Sequence, residues 1–142
     1  MWFAVVTPVF EAPTKKMRAV LPKEIPLTKH VTNGQAAAEL LLGIVQGDPL
    51  ALGRGLGADG IVEPARAPLI PGFSAVKRAA GEAGAAGCTI SGAGPTCVAV
   101  VGSEAEGAAV VAAMTDAFVN EGGLEIEYAG VQRLCTEGAK AI

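Results

Sequence analysis

Hydrophobic positions along this chain change their period several times, and each change marks a candidate element. Trp2 to Val6 is a β-branched and aromatic run that stops at Thr7-Pro8, the pattern of a buried strand. Thr14 to Leu21 closes at Pro22, puts Met17, Val20 and Leu21 on one helical face, and has Thr14 placed as its N-cap. The longest helix candidate runs from Thr28 to Gln46. There Val31, Leu40, Leu41, Ile44 and Val45 supply an apolar stripe, and Gly47-Asp48-Pro49 ends it. Pro49 to Gly60 is short and glycine-rich, which suits a small helix and a turn. Val62 to Gly72 contains Pro64, Pro68 and Pro71 and predicts an ordered extended loop rather than a helix.

The second half repeats this alternation. Phe73, Val76 and Ala80 share the face of a helix ending near Gly84. Cys88 to Ile90 and Cys97 to Val101 are short strands, joined by Ser91-Gly-Ala-Gly-Pro-Thr96. Ser103 and Glu106 make a capping box for a helix carrying Val111, Met114 and Phe118. Leu124 to Tyr128 alternates, with Glu125 and Glu127 as the solvated face of an edge strand rather than an acid/base pair. The order is strand, helices, strand, strand, helix, strand. It predicts an α+β fold, the ferredoxin-like split βαβ two-layer sandwich, with a four-stranded antiparallel sheet and helices on one face. Residues 1–142 form one domain in this scheme.

Composition narrows the function. Apolar residues at 51% against 18% charged favour a packed core over disorder. A net charge of −3 with scattered basic residues argues against a nucleic-acid partner. No apolar run reaches the length of a membrane helix, so no membrane partner is expected. The spacing of Cys88, Cys97 and Cys135 fits no metal site; Cys88 and Cys97 read as small core residues in a reducing compartment, with no metal bound. His30 has no acidic or nucleophilic partner in sequence reach and is assigned a structural role. The chain opens directly on a strand, without a leader, and this suggests truncation.

Three segments could carry chemistry. In Ser91 to Thr96, Gly92 and Gly94 permit positive φ and close approach of a phosphate, while Ser91 and Thr96 offer hydroxyls. The same residues also suit an ordinary long hairpin loop. In Pro13-Thr-Lys-Lys-Met-Arg18, Arg18 lies one helical turn beyond Thr14, and its planar fork matches a carboxylate. A solvated basic helix end is the plainer alternative. In Glu63-Pro-Ala-Arg-Ala-Pro-Leu-Ile-Pro71, prolines on both sides of Arg66 restrict the backbone that presents it, as a binding loop or as a surface crossover.

Together these segments resemble the C-terminal half of homoserine kinases, in the GHMP kinase superfamily shared with galactokinase, mevalonate kinase and phosphomevalonate kinase. Thr14-Lys-Lys-Met-Arg-Ala-Val-Leu-Pro22, Glu63-Pro-Ala-Arg-Ala-Pro-Leu-Ile-Pro-Gly-Phe73 and Thr89-Ile-Ser-Gly-Ala-Gly-Pro-Thr96 occur in the family's order and spacing, and the likeness covers almost the whole chain. Asn33 also resembles a position the family retains. The resemblance implies ATP-dependent phosphorylation of the homoserine hydroxyl, giving O-phosphohomoserine for threonine biosynthesis. It implies that Arg18 and Arg66, with Thr14, bind the substrate. Gly92, Ala93 and Gly94 would form the glycine loop, shaped by Ser91 and Thr96.

One departure is large. The family's principal phosphate loop belongs to an N-terminal domain that this chain lacks, together with the groups used for magnesium. Gly53-Arg-Gly-Leu-Gly-Ala58 echoes that loop without its serines and is taken as a turn. The expectation is therefore a half-enzyme without catalytic residues or metal ligands, inactive alone, with ATP and magnesium held by the missing domain. Its surface should keep an apolar face where that domain docks. A homodimer is a further partner expectation. Family members are cytoplasmic in bacteria and lie in the chloroplast stroma in plants and algae. The rival function is an ACT-like regulatory amino-acid-binding module, which shares the element order; another GHMP small-molecule kinase is the third.

Overall fold

The computed structural model describes residues 1–138. Strands β1 (Trp2–Pro8), β2 (Gly87–Ile90), β3 (Cys97–Val101) and β4 (Ile126–Arg133) form one antiparallel sheet in the order β2-β3-β1-β4. The helices are α1 (Thr14–Ala19), α2 (Leu27–Gln46), α3 (Pro49–Gly57), α4 (Val62–Arg66), α5 (Phe73–Glu82) and α6 (Glu104–Asn120). This is the expected α+β, split βαβ arrangement.

Strand alternation decides which side chains meet the helices. Ala4 and Val6 of β1, Cys97, Ala99 and Val101 of β3, and Cys88 and Ile90 of β2 point into one core. Helix α5 answers with Phe73, Val76 and Ala80, and α6 with Val110, Met114 and Phe118. Met17 of α1 closes the cluster and is fully buried. Ser103 caps α6 as expected, its Oγ accepting from the Glu106 N–H at 3.2 Å, while the Glu106 carboxylate accepts from the Gly102 N–H at 3.1 Å and not from that of Ser103.

Several sequence expectations need correction. Thr14 is the first residue of α1 and not its cap; Pro13 precedes it, with no side-chain hydrogen bond to the helix end. Val62 to Gly72 is not extended. Its start is α4, followed by a 3-10 turn at Ala67–Leu69. Pro64 falls in the first turn of α4 and Pro68 at the start of the 3-10 turn, where a missing N–H costs no helical bond. Gly53 to Gly57 completes α3 instead of forming a turn, because Asp48 Oδ1 accepts from the N–H groups of Leu50 and Ala51 and starts the helix. The last strand runs on to Arg133, since Gly130 sits in an edge strand that still pairs with Val5.

The glycines of α3 have a packing reason. A Cβ on Gly53 would strike the Ala86 backbone, and one on Gly87 would fall on the Gly53 carbonyl. A Cβ on Gly55 would likewise meet the backbone of Leu40 in α2. Helices α5 and α6 thus cover one face of the sheet, while the α2–α3 hairpin wraps its β2 edge with backbone lying directly on backbone.

Of the expected apolar stripe of α2, Leu40 lies on the α3 side and the rest faces the other way. Only Ala36 and Gly43 of this helix are buried, and Val31, Leu41, Ile44 and Val45 are exposed. The small residues face α3 because only they allow so close an approach.

Gly87→Ala should therefore lower stability by about 1–3 kcal/mol, as overpacking against fixed backbone does. Gly81→Ala, on α5 with nothing within 4 Å of the added Cβ, should raise it by about 0.5–1 kcal/mol. Urea unfolding of both variants checks the contrast, and equal effects would rule out the α3–β2 contact as the constraint.

Candidate functional site

The β2–β3 connection begins where the ladder stops, at the Ile90–Cys97 pair. The Ser91 N–H donates to the Thr96 carbonyl at 2.8 Å and the Gly94 N–H to the Ser91 carbonyl at 3.0 Å, so the loop is tied across its base. Gly92 and Gly94 have φ of 61° and 85°, a region that favours glycine. Gly94 also lacks space for a side chain, since a Cβ there would lie 2.8 Å from Ile70 Cδ1. Thr96 is committed to the sheet, its hydroxyl 3.0 Å from that of Thr7 on β1. Ser91 and Gly92 are exposed, and among the described residues the Gly92 and Ala93 N–H groups have no protein partner. Two adjacent unpaired N–H groups at an exposed turn offer a seat for an anion.

Arg66 reaches this loop from α4. Its Nη1 donates to the Gly92 carbonyl at 2.7 Å and its Nε to the Met17 carbonyl at 3.1 Å. One guanidinium thus joins the glycine loop to α1. Arginine has five N–H donors, so three remain for a ligand. The placement depends on Asp59. Its Oδ1 accepts from the N–H groups of Ile61 (2.9 Å) and Val62 (3.0 Å), its Oδ2 from Glu63 (2.7 Å), and Asn33 Nδ2 donates to Oδ1 at 2.7 Å. Asn33 Oδ1 in turn accepts from the Gly60 N–H at 3.0 Å.

Thr14 and Arg18 lie one turn apart on α1, both exposed. Arg18 follows the residue whose carbonyl Arg66 holds, yet its side chain makes no hydrogen bond or ion pair among the described residues. Of the two arginines, only Arg66 is tied to the loop. Between Glu63, Arg66, Thr89 and Gly92 the remaining hollow is ~30 Å³, room for about one water and far too small to enclose an amino acid. A hollow of ~390 Å³ between α3 and α5 is larger, but its charged walls, Lys77 and Arg54, are already matched by Glu63 and Glu39. The Arg66 guanidinium and the glycine loop meet at the small hollow.

Known proteins match this chain along most of its length. Residues 37–120 match the family model described as GHMP kinases C terminal. The chain belongs to the GHMP kinase C-terminal family. It is 54% identical over its full length to homoserine kinase from Arabidopsis thaliana, spanning 38% of that protein. It is 40% identical to homoserine kinase from Chlorobaculum tepidum over 96% of this chain and 42% of that one. The crystal structure of homoserine kinase from Cytophaga hutchinsonii superposes with a TM-score of 0.86 at 36% identity, covering 94% of this chain and 41% of that one. The chain thus spans about two-fifths of the length of these relatives. Membership of this kinase family sets aside the regulatory amino-acid-binding module.

Three further residues hold α4, and with it Arg66, in place. Asp59 had a usable signal, an acid five residues ahead of a proline that can open a helix. Glu63 had none. It is buried, pairs with Lys77 Nζ, and accepts from the Thr89 hydroxyl at 2.9 Å. These partners, from α5 and β2, anchor α4 to the sheet. Lys77 is the third. Cys88 and Cys97 are buried, as expected, and Cys135 is exposed. Burial pushes the Cys88 thiol up to about 12; the charge of Lys77 works against the rise and that of Glu63 adds to it. Burial likewise raises Cys97.

Burial acts to raise the Asp59 pKa. The hydrogen bonds from Ile61, Asn33, Val62 and Glu63 outweigh it and hold the carboxyl below the ordinary range. A lowered folded value means that its stabilisation is complete above the unfolded pKa of about 4 and is lost as pH falls through the folded one. Asp59→Ala should cost about 0.5–2 kcal/mol at neutral pH, as lost helix caps do. That difference should shrink on acidification below about pH 4; a pH-independent difference in urea titrations would contradict the capping role. Separately, iodoacetamide near neutral pH should modify Cys135 alone in the native chain and all three cysteines in denaturant. Rapid native labelling of Cys88 would show that the core opens there.

Proposed function

We propose that this chain is the acceptor-side portion of a homoserine kinase, the enzyme that phosphorylates the homoserine hydroxyl with ATP to give O-phosphohomoserine in threonine biosynthesis. The observation that carries the proposal is Arg66, held between α1 and the glycine loop with three N–H donors uncommitted. A bidentate fork beside two free backbone N–H groups suits an acceptor that bears a carboxylate and receives a phosphoryl group. The homoserine kinase relatives over the full chain support the same substrate.

In this scheme Arg66 binds the acceptor carboxylate, and Arg18, exposed one residue beyond the carbonyl that Arg66 holds, supplies the second fork. Thr14, one turn earlier on α1, contributes a hydroxyl. Gly92 and Ala93 orient an anionic oxygen of the phosphoryl group through their N–H groups, and the rigid base of the loop limits its movement. ATP supplies the phosphoryl group, whose transfer depends on alignment and charge neutralisation. No three acidic, His or Cys residues cluster among the described residues in a way that could hold a metal. The carboxylates nearest the loop, Asp59 and Glu63, are engaged with N–H groups, Lys77 and Thr89. Magnesium and most nucleotide contacts are therefore assigned to an N-terminal domain of the kind that fills the relatives' remaining length. The isolated chain is expected to be inactive.

A chimera tests this. The 142 residues replace the corresponding C-terminal segment of the Arabidopsis thaliana enzyme. The chimera should phosphorylate homoserine, and the isolated chain should not turn over ATP. The Arg18 side chain has no partner among the described residues, so Arg18→Ala should leave stability unchanged. It should raise the homoserine KM about 10- to 100-fold, as expected for loss of a charged hydrogen bond of about 1.5–3 kcal/mol, with the ATP KM unmoved. A folded chimera that ignores homoserine, or an Arg18→Ala variant with normal KM, would remove the assignment.

A further inference from the structure

Among the described residues Glu63 is the one buried charged side chain, only 8% exposed. Its two oxygens serve different elements. Oε1 pairs with Lys77 Nζ of α5, and Oε2 accepts from the Thr89 hydroxyl of β2 at 2.9 Å. Lys77 Nζ also donates to the Gly57 carbonyl at the end of α3, at 3.4 Å. A buried ion pair is a poor way to gain stability, because desolvating two charges offsets most of their attraction. An apolar pair of the same volume would hold α4 as well or better. The charges call for another role.

Their place supplies one. Glu63 precedes Arg66 by three residues, so the two side chains are neighbours on α4. Thr89 precedes Ser91, the first residue of the glycine loop, by two. One carboxylate thus ties the helix that carries the guanidinium to the strand that carries the loop. Glu63, Arg66, Thr89 and Gly92 also border the same small hollow. An unmatched carboxylate there would compete with an incoming anion for the Arg66 fork. Lys77 engages it from α5, outside the walls of the small hollow and within those of the larger one.

We propose that Glu63 and Lys77 are positioning residues for acceptor binding. Together they set the distance between Arg66 and the glycine loop, and Lys77 keeps the Glu63 carboxylate off the guanidinium. The proposal rests on the reading of Arg66 as the fork for the acceptor carboxylate.

One measurement is independent of that reading. In the 142-residue chain the Arg66 Nε–H donates to the Met17 carbonyl, so its NMR signal should exchange with water more slowly than that of the exposed Arg18. Lys77→Met combined with Glu63→Gln leaves no charge unpaired and should keep the urea midpoint. It should nonetheless speed the Arg66 exchange toward that of Arg18. Unchanged exchange would overturn the inference alone.

Kinetics of the Arabidopsis thaliana chimera supply the second measurement. The double variant should raise the homoserine KM about tenfold, with the ATP KM unmoved. Lys77→Met alone should raise it further, about 100-fold, as the freed carboxylate takes Arg66. Lys77→Ala opens a space beside the ~390 Å³ hollow that fits propylammonium. That amine should lower the homoserine KM of this variant, and propanol, equal in size but uncharged, should not. Equal rescue by propanol would overturn the inference by showing that packing alone matters. Faster Arg66 exchange with a native homoserine KM would remove Arg66 from the acceptor site, and the inference with it.

Discussion

A single guanidinium ties together the parts of this molecule that could handle a substrate. Arg66 donates to the carbonyls of Met17 and Gly92, residues 49 positions before it and 26 after it. Backbone carbonyls are fixed points, so these bonds set the position of the side chain more firmly than contact with flexible partners would. The clamp in turn requires α4 to start and end at fixed residues. Asp59 starts it by gathering three N–H groups, and Glu63 fastens it to Lys77 and Thr89. If α4 shifted by one residue, Arg66 would rotate about a hundred degrees around the helix axis and lose both carbonyls.

The fold supplies the frame for this clamp in two different ways. Large side chains, Phe118, Met114 and Met17 among them, fill the space between sheet and helices α5 and α6. The α2–α3 hairpin is instead held by the absence of side chains at Gly43, Gly53, Gly55 and Gly87. Close backbone contact allows little sliding, and so the β2 edge that leads into the glycine loop has a defined position. The same choice leaves the large residues of α2 outside. An apolar helix docked through its small residues presents large ones elsewhere, and here Leu27, Val31, Leu41 and Val45 face solvent.

Asp59 and Glu63 show how function and stability share residues in this site. Neither is free to act as a base or to bind a metal, because each already satisfies donors that shape α4. Around the glycine loop the chain therefore presents Arg66 and backbone N–H groups, which suit an anion.

The sequence by itself determined the element order, the strand alternation, the capping box at Ser103, the buried cysteines and the Ser91–Thr96 loop. These are local: periodicity and turn chemistry act over a few residues, so they are visible along one dimension. Its motifs also pointed to the kinase family later matched over residues 37–120. The path of Val62 to Gly72 was misjudged because prolines are tolerated in a first helical turn, and whether that turn forms depends on a cap two or more residues upstream. Which face of α2 is buried was also out of reach, since hydrophobicity favours the large residues while close approach requires the small ones. The tertiary structure alone decided that Arg66, and not Arg18, grips the glycine loop. That choice depends on distances among α1, α4 and the β2–β3 turn. Segments this far apart in sequence meet only when the sheet and its helices have packed.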